Sequence, residues 1–207
     1  MKTKTYRISS SGIDLDIKKT EILRYLGYGK NLDDKNIDKE ILEAVGELQK
    51  TAALNYIYRI FDFKVVDGTI DVTDTTLRIK SKDLLKHLRD SEKLAIMATT
   101  LGFQVEKHIK YLNKVDLSKG VIYEACAAAL IEELCDYVEN EIEAEATSDD
   151  FSITKRYSPG YGDLELDIQP KIVKAVEAQK KIGINVTENF IMVPRKSVTA
   201  LIGLKNK

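Results

Sequence analysis

Arg156, Ser158 and Tyr161 fall close together in the segment KRYSPGYGDLELD, residues 155–167, and their types suit the gripping of a small anionic ligand. The planar guanidinium of Arg156 can hold a carboxylate or a phosphate through two parallel hydrogen bonds, provided its backbone is rigid. Rigidity is what the intervening residues offer. Pro159 fixes its own φ and biases Ser158 towards extended geometry, while Gly160 and Gly162 permit positive φ or close backbone approach. Tyr161 can supply a stacking or hydrogen-bonding wall. Each residue also has a plainer reading: Arg156 as a structural ion pair with a nearby acid, and Tyr161 as a loop aromatic anchoring the turn to the core.

A second group precedes this loop. Glu132, Asp136, Glu139 and Glu143 recur at steps of four, three and four, which places four carboxylates along one face of a helix. A solvated face accounts for such a stripe. The alternative is that Glu132, at its apolar end, receives an ammonium group or a sugar hydroxyl. An arginine and a carboxylate facing one another suit an amino-acid zwitterion.

Other chemistries find little support. The sequence contains no Walker loop, GxGxxG, HExxH, nucleophile elbow or CxxC motif. Cys126 and Cys135 lie in one helical run about 13 Å apart along the axis, too far for a disulfide, and read as buried small hydrophobes. His87 and His108 stand apart among lysines, without metal-ligating companions, and read as surface residues. No metal site is expected. The 32 basic and 33 acidic residues leave a net charge of −1, which removes the global pull expected of a nucleic-acid binder. MKTKTYRISS has no apolar signal core, and no run approaches the roughly 18 apolar residues of a membrane span, so a cytoplasmic protein is expected. Charged residues at 31% and apolar residues at 43% indicate an ordinary globular chain, and 207 residues can bury a core of ordinary size.

The elements that must position these residues can be read from periodicity. Residues 14–28 suggest a helix stopped by Gly27 and Gly29, and 37–53 a second helix capped by Asp34 or Asn36. Residues 56–79 are dense in aromatic and β-branched types around an Asp67-Gly68 turn, as in hairpin strands. A short helix over 82–89, a buried strand over 93–100 and a helix from Gly102 to Leu112 follow. Residues 116–146 form the longest periodic run and the expected central helix, capped by Asp116 or Ser118 and ended by 148–150. A strand over 151–157 leads into the loop, one amphipathic helix spans 168–181 up to Gly183, and two short strands flank Pro194. Lys196 and Ser197 read as an exposed turn between strands. The predicted class is α+β, a mixed, mainly antiparallel twisted sheet with a long central helix and flanking helices. Residues 1–90 are expected to pack as N-terminal helices and a hairpin on a core at 91–207, within one compact domain.

Taken together, RYSPGYGDLELD, the preceding LIEELCDYVENEI and the following KIGINVTENFIMVPRKSVTALIGL resemble the activation domain of cobalamin-dependent methionine synthase, in a short stand-alone form. The resemblance covers about 93–204, carried by an arginine just ahead of Pro-Gly-Tyr, then a helix, a Thr-Glu-Asn-Phe segment and a Pro-containing turn; ILRYLGY and the helix after it agree more loosely. It implies binding of S-adenosylmethionine and docking over the corrin of a partner, a cobalamin-binding methionine synthase or other corrinoid protein. Cobalamin is then present only through that partner, and the electron for reductive remethylation of cob(II)alamin comes from flavodoxin or ferredoxin. By motif position Arg156 holds the methionine carboxylate, the Ser158 backbone meets the adenine, Tyr161 lines the site and Glu132 faces the amino or ribose side.

Two departures stand out. Gly162-Asp163-Leu164-Glu165 replaces the family's Pro-Ala-Cys-Pro, and the C-terminal extension carrying another tyrosine is not in the sequence. The implied function is an accessory one without catalysis by the chain alone, since it has neither a DxHxxG cobalamin motif nor a zinc site for homocysteine. The alternatives are a scaffold module capping a corrinoid protein without the ligand, and an independent S-adenosylmethionine enzyme, for which no general base is evident.

Overall fold

The computed structural model describes residues 4–28 and 33–207. By the grouping of its contacts the chain forms two units, each built from two stretches of sequence: Met1–Asn55 with Thr100–Asp136, and Tyr56–Thr99 with Tyr137–Lys207.

The first unit opens with a hairpin of β1 (Thr5–Ser10) and β2 (Ile13–Lys18), paired antiparallel with Ile8 opposite Leu15. This corrects the helix expected from residue 14. The four- and three-residue steps from Ile22 and Leu23 to Leu26 conceal a period of two that runs just before them through Ile13, Leu15 and Ile17, whose side chains are buried while Asp14, Asp16 and Lys18 face solvent. Only α1 (Lys19–Tyr25) is helical, and Gly27 follows it with φ +78°; Gly29 lies outside the described residues. Helix α2 (Lys35–Thr51) is capped as expected by Asp34, whose carboxylate accepts from the N–H groups of Asn36 and Ile37. It buries Ile41, Ala44, Val45 and Leu48 and packs on β1 and on α4 (Phe103–Val115).

The second unit is built on a six-stranded sheet. Its order is β5-β4-β3-β6-β10-β7, formed by β3 (Asn55–Val66), β4 (Thr69–Val72), β5 (Arg78–Ile79), β6 (Lys93–Thr100), β7 (Phe151–Ile153) and β10 (Ser197–Asn206). The expected α+β class and mainly antiparallel sheet are present, with β3–β4, β4–β5 and β7–β10 antiparallel. Strand β6 is buried from Leu94 to Thr100 without alternation, so both of its faces are covered. Leu94, Ile96 and Ala98 join Leu84 and Leu88, Ile172 and Val176, and Leu201 in one apolar core. The helix α3 (Lys82–His87) lies in the connection from β5 to β6.

Helix α5 (Leu117–Ser148) is the expected long helix, and its residues are shared between the two units. Cys126 and Cys135 are buried on it and unbridged, as read from sequence, and burial pushes the Cys126 thiol up to about 12.

Four further expectations change. The single helix over 168–181 is a 3₁₀ turn (Leu166–Ile168), α6 (Gln169–Ala175) and α7 (Ala178–Ile182), broken where Glu177 takes φ +57°. The strand into the loop is only β7, with Tyr157 forming one isolated bridge to Leu201. After the small hairpin of β8 (Asn185–Val186) and β9 (Met192–Val193), Pro194 leads into a long strand rather than a short one. Ser197, read as part of an exposed turn, is buried and donates to the Pro194 carbonyl at 2.7 Å.

Candidate functional site

The loop after β7 is two consecutive tight turns. In the first, the Tyr161 N–H donates to the Ser158 carbonyl at 3.2 Å, with Pro159 and then Gly160 (φ +94°) at the centre, the residue order of a type II turn. In the second, the Leu164 N–H donates to the Tyr161 carbonyl at 3.0 Å across Gly162 (φ +53°) and Asp163. The Gly160 N–H reaches the Leu164 carbonyl at 2.7 Å and closes the pair. Leu164 and Pro159 are buried beneath, so the rigid frame expected from Pro159 and the two glycines is present.

Helix α3 grips this frame at both ends. At its N-terminus Asp163 accepts hydrogen bonds from the Ser81 hydroxyl and from the N–H groups of Lys82 (2.7 Å) and Asp83 (3.2 Å). Ser81 is the N-cap itself, its oxygen accepting from the Leu84 N–H at 2.9 Å. The Ser81 hydroxyl, followed by the two backbone donors, holds the Asp163 carboxyl below the usual carboxylate range. At the C-terminal end of α3, His87 donates from Nε2 to the Lys155 carbonyl at 2.7 Å and lies against the Tyr157 ring, centroids 5.1 Å apart. The Tyr157 hydroxyl in turn donates to the Tyr161 carbonyl at 3.2 Å. A Cβ on Gly162 would sit 2.4 Å from Asp83 Oδ2 and 2.6 Å from the Tyr157 hydroxyl, so this approach needs glycine as well as positive φ.

Arg156 is therefore fixed on both sides of its backbone: Lys155 by His87, and Tyr157 by reciprocal 2.9 Å hydrogen bonds with Leu201 of β10. Its guanidinium Nη1 lies 2.8 Å from Oε2 of Glu139, with both side chains about one quarter exposed or less, at 21% and 25%. The ion-pair reading of Arg156 is thus realised in this structure, with the third carboxylate of the acidic stripe as a partner. Ser158 is half-buried at the first turn. Tyr161 is 67% exposed, so it does not anchor the loop in the core; its ring lies 6.4 Å from that of Tyr157. Glu132 is exposed on the part of α5 that belongs to the first unit, whereas Arg156, Ser158 and Tyr161 belong to the second.

Both histidines depart from the surface reading. His87 is half-buried in the clamp just described. His108 is half-buried in the first unit, 2.8 Å from Glu47 and edge-on to the Tyr123 ring. Among the described residues no group of three or more His, Cys, Asp or Glu is arranged to hold a metal ion. An open hollow between Arg59, Thr76, Lys174 and Glu177 mixes both charge signs and contains none of the four predicted site residues. No helix among the described residues is long and apolar enough to cross a membrane.

Sequence reasoning passed over Glu139, Asp163 and His87. Glu139 carried a signal, being on the same helical stripe as Glu132 and two turns closer to the loop in sequence. Asp163 looked like a departure from a family pattern, and nothing local marks it as a cap for a helix 80 residues away.

The second unit is thus an α+β module in which a sheet, a short clamping helix and a double-turn loop hold an arginine. The chain belongs to the family described as vitamin B12 dependent methionine synthase, activation domain, whose model matches residues 73–207. Among solved structures it is similar to the MetH reactivation domain bound to AdoHcy, with a TM-score of 0.71 at 14% identity, over 98% of this chain and 78% of that one. That likeness is one of fold, and it extends to the N-terminal residues that the family match leaves out. No curated protein matches.

Proposed function

We propose that this chain is a stand-alone reactivation partner of a cobalamin-dependent methionine synthase, binding S-adenosylmethionine and docking over the corrinoid of that protein. Family membership supports the corrinoid partner, and the AdoHcy bound to the structural neighbour supports a ligand of this class. The observation that carries the reading to this chain is the backbone-locked Arg156 beside the turn of Ser158 and Tyr161. In this assignment Arg156 takes the methionine carboxylate, the Ser158 backbone meets the adenine and the exposed Tyr161 ring closes over the ligand.

One electron from a carrier such as flavodoxin or ferredoxin, together with the methyl group of S-adenosylmethionine, converts cob(II)alamin to methylcobalamin and releases S-adenosylhomocysteine. The cobalt takes the methyl group, so the side chains here orient the donor and exclude water rather than catalyse. A second reading rests on the Arg156–Glu139 pair: an arginine committed to a carboxylate of its own chain suits a capping module that has lost the ligand.

Calorimetric titration of S-adenosylmethionine, into the protein alone and with a cobalamin-loaded methionine synthase lacking this domain, separates the two. Saturable binding in either titration supports the reactivation partner. Complex formation without binding in either selects the capping module.

A further inference from the structure

We infer that the hollow between the β4–β5 turn and α6 is a second ligand site, suited to a small molecule that carries a phosphate together with hydroxyl groups, as sugar phosphates and nucleotides do. The inference stands apart from the reading of Arg156.

The hollow lies within the second unit and has a volume of about 490 Å³, inside the range of roughly 300–1,000 Å³ in which small molecules bind. Leu77 and Ala175, both buried, give it an apolar part. Its charged lining comes from three elements. Arg59 stands on β3, Lys171 and Lys174 on α6, Asp74 in the turn and Glu177 at the break between α6 and α7.

The cations are held in place without acids. Arg59 donates from Nη1 to the Ala175 carbonyl at 3.1 Å, and its guanidinium carbon lies 5.0 Å from the centroid of the Phe61 ring. Neither contact is with a carboxylate, and most of the N–H donors of the group are left for other partners. Lys171 and Lys174 are three residues apart, hence on one face of α6, where like charges repel. Among the described residues none of the three cations forms an ion pair. A phosphate has the charge and the oxygen acceptors to offset all three at once.

The acids restrict the class further. Asp74 and Glu177 each take a left-handed φ of +57°. The turn that carries Asp74 is braced by Thr75, whose hydroxyl donates to the Val72 carbonyl at 2.9 Å and accepts from the Leu77 N–H at 3.0 Å. A bare phosphate meets the two carboxylates as like charges, whereas a ligand whose hydroxyls donate to them uses both signs of the lining.

The test is a calorimetric titration of the full chain with ribose 5-phosphate, AMP and inorganic phosphate at about 150 mM salt, where exposed charges are screened beyond about 8 Å. Wild type is expected to bind ribose 5-phosphate saturably, roughly tenfold or more tighter than inorganic phosphate. Tighter binding of AMP assigns the site to nucleotides, and equal or weaker binding assigns it to sugar phosphates. Lys174→Gln changes an exposed side chain and is expected to lose about tenfold of the affinity. Lys64→Gln, the same charge change on β3 outside the hollow, is expected to lose none. Asp74→Asn keeps a residue that tolerates left-handed φ and is expected to weaken ribose 5-phosphate but not inorganic phosphate. The site is refuted if wild type binds neither organic phosphate saturably, if Lys174→Gln binds as wild type does, or if Lys64→Gln loses as much. Inorganic phosphate binding as tightly as ribose 5-phosphate overturns the hydroxyl-bearing class.

Discussion

Asp163 and Gly162 are the residues on which the loop turns. Asp163 does for α3 what a local cap does, but from 80 residues away, accepting from Ser81, Lys82 and Asp83. Because those donors depress its folded pKa, the stability it contributes is complete above the ordinary carboxylate value of about 3.9 and is lost as pH falls through the depressed one. Thermal unfolding of wild type and Asp163→Ala should thus differ fully near pH 7 and begin to converge only as the pH falls below about 4; a gap that persists undiminished in stronger acid would show that the carboxylate's charge is not what matters. Gly162→Ala forces φ +53° on a β-carbon and drives it against Asp83 and Tyr157. A loss of about 1–2 kcal/mol in denaturant unfolding is expected, and an unchanged midpoint would mean the clamp can shift to accept it.

At the scale of elements, α3 is the part whose purpose the sequence concealed. Its six residues read as a minor connector, yet it holds the loop at one end through Asp163 and at the other through His87. Ser81→Ala removes the N-cap and one donor to Asp163 together, and should lower stability by about 0.5–2 kcal/mol while weakening ligand binding in parallel; a stability loss with unaltered affinity would separate α3 from the site. The elements that periodicity made legible are those with one uncontested period: α2 with its Asp34 cap, the long α5, and buried β6. The misreadings have physical causes. In β2 the apolar residues satisfy a period of two that an eye trained on Ile17, Ile22 and Leu23 takes for helix, and at Glu177 a left-handed residue divides α6 from α7 without a glycine or proline to announce it. The same limit applies to the site. The stiff turn beside Arg156 was legible because Pro159 and two glycines mark it, whereas the Arg156–Glu139 contact depends on tertiary placement that helix spacing does not contain.

For the whole molecule, membership of the activation-domain family and likeness to a reactivation domain over nearly the full chain make the corrinoid-serving role the economical account. Among the described residues no group of three or more His, Cys, Asp or Glu is arranged to hold a metal ion, and the proposed role needs none, because in it the reactive cobalt belongs to the partner. What the chain must contribute is a grip on the donor, and that grip is assigned to Arg156. Charge-assisted hydrogen bonds of this kind contribute about 1.5–3 kcal/mol, roughly a 10- to 100-fold change in affinity. The most direct measurement is the affinity of S-adenosylmethionine for wild type and Arg156→Ala, titrated under the condition in which wild type binds. The account predicts a loss of that size with the fold retained by circular dichroism, and equal affinity in the two proteins would contradict it.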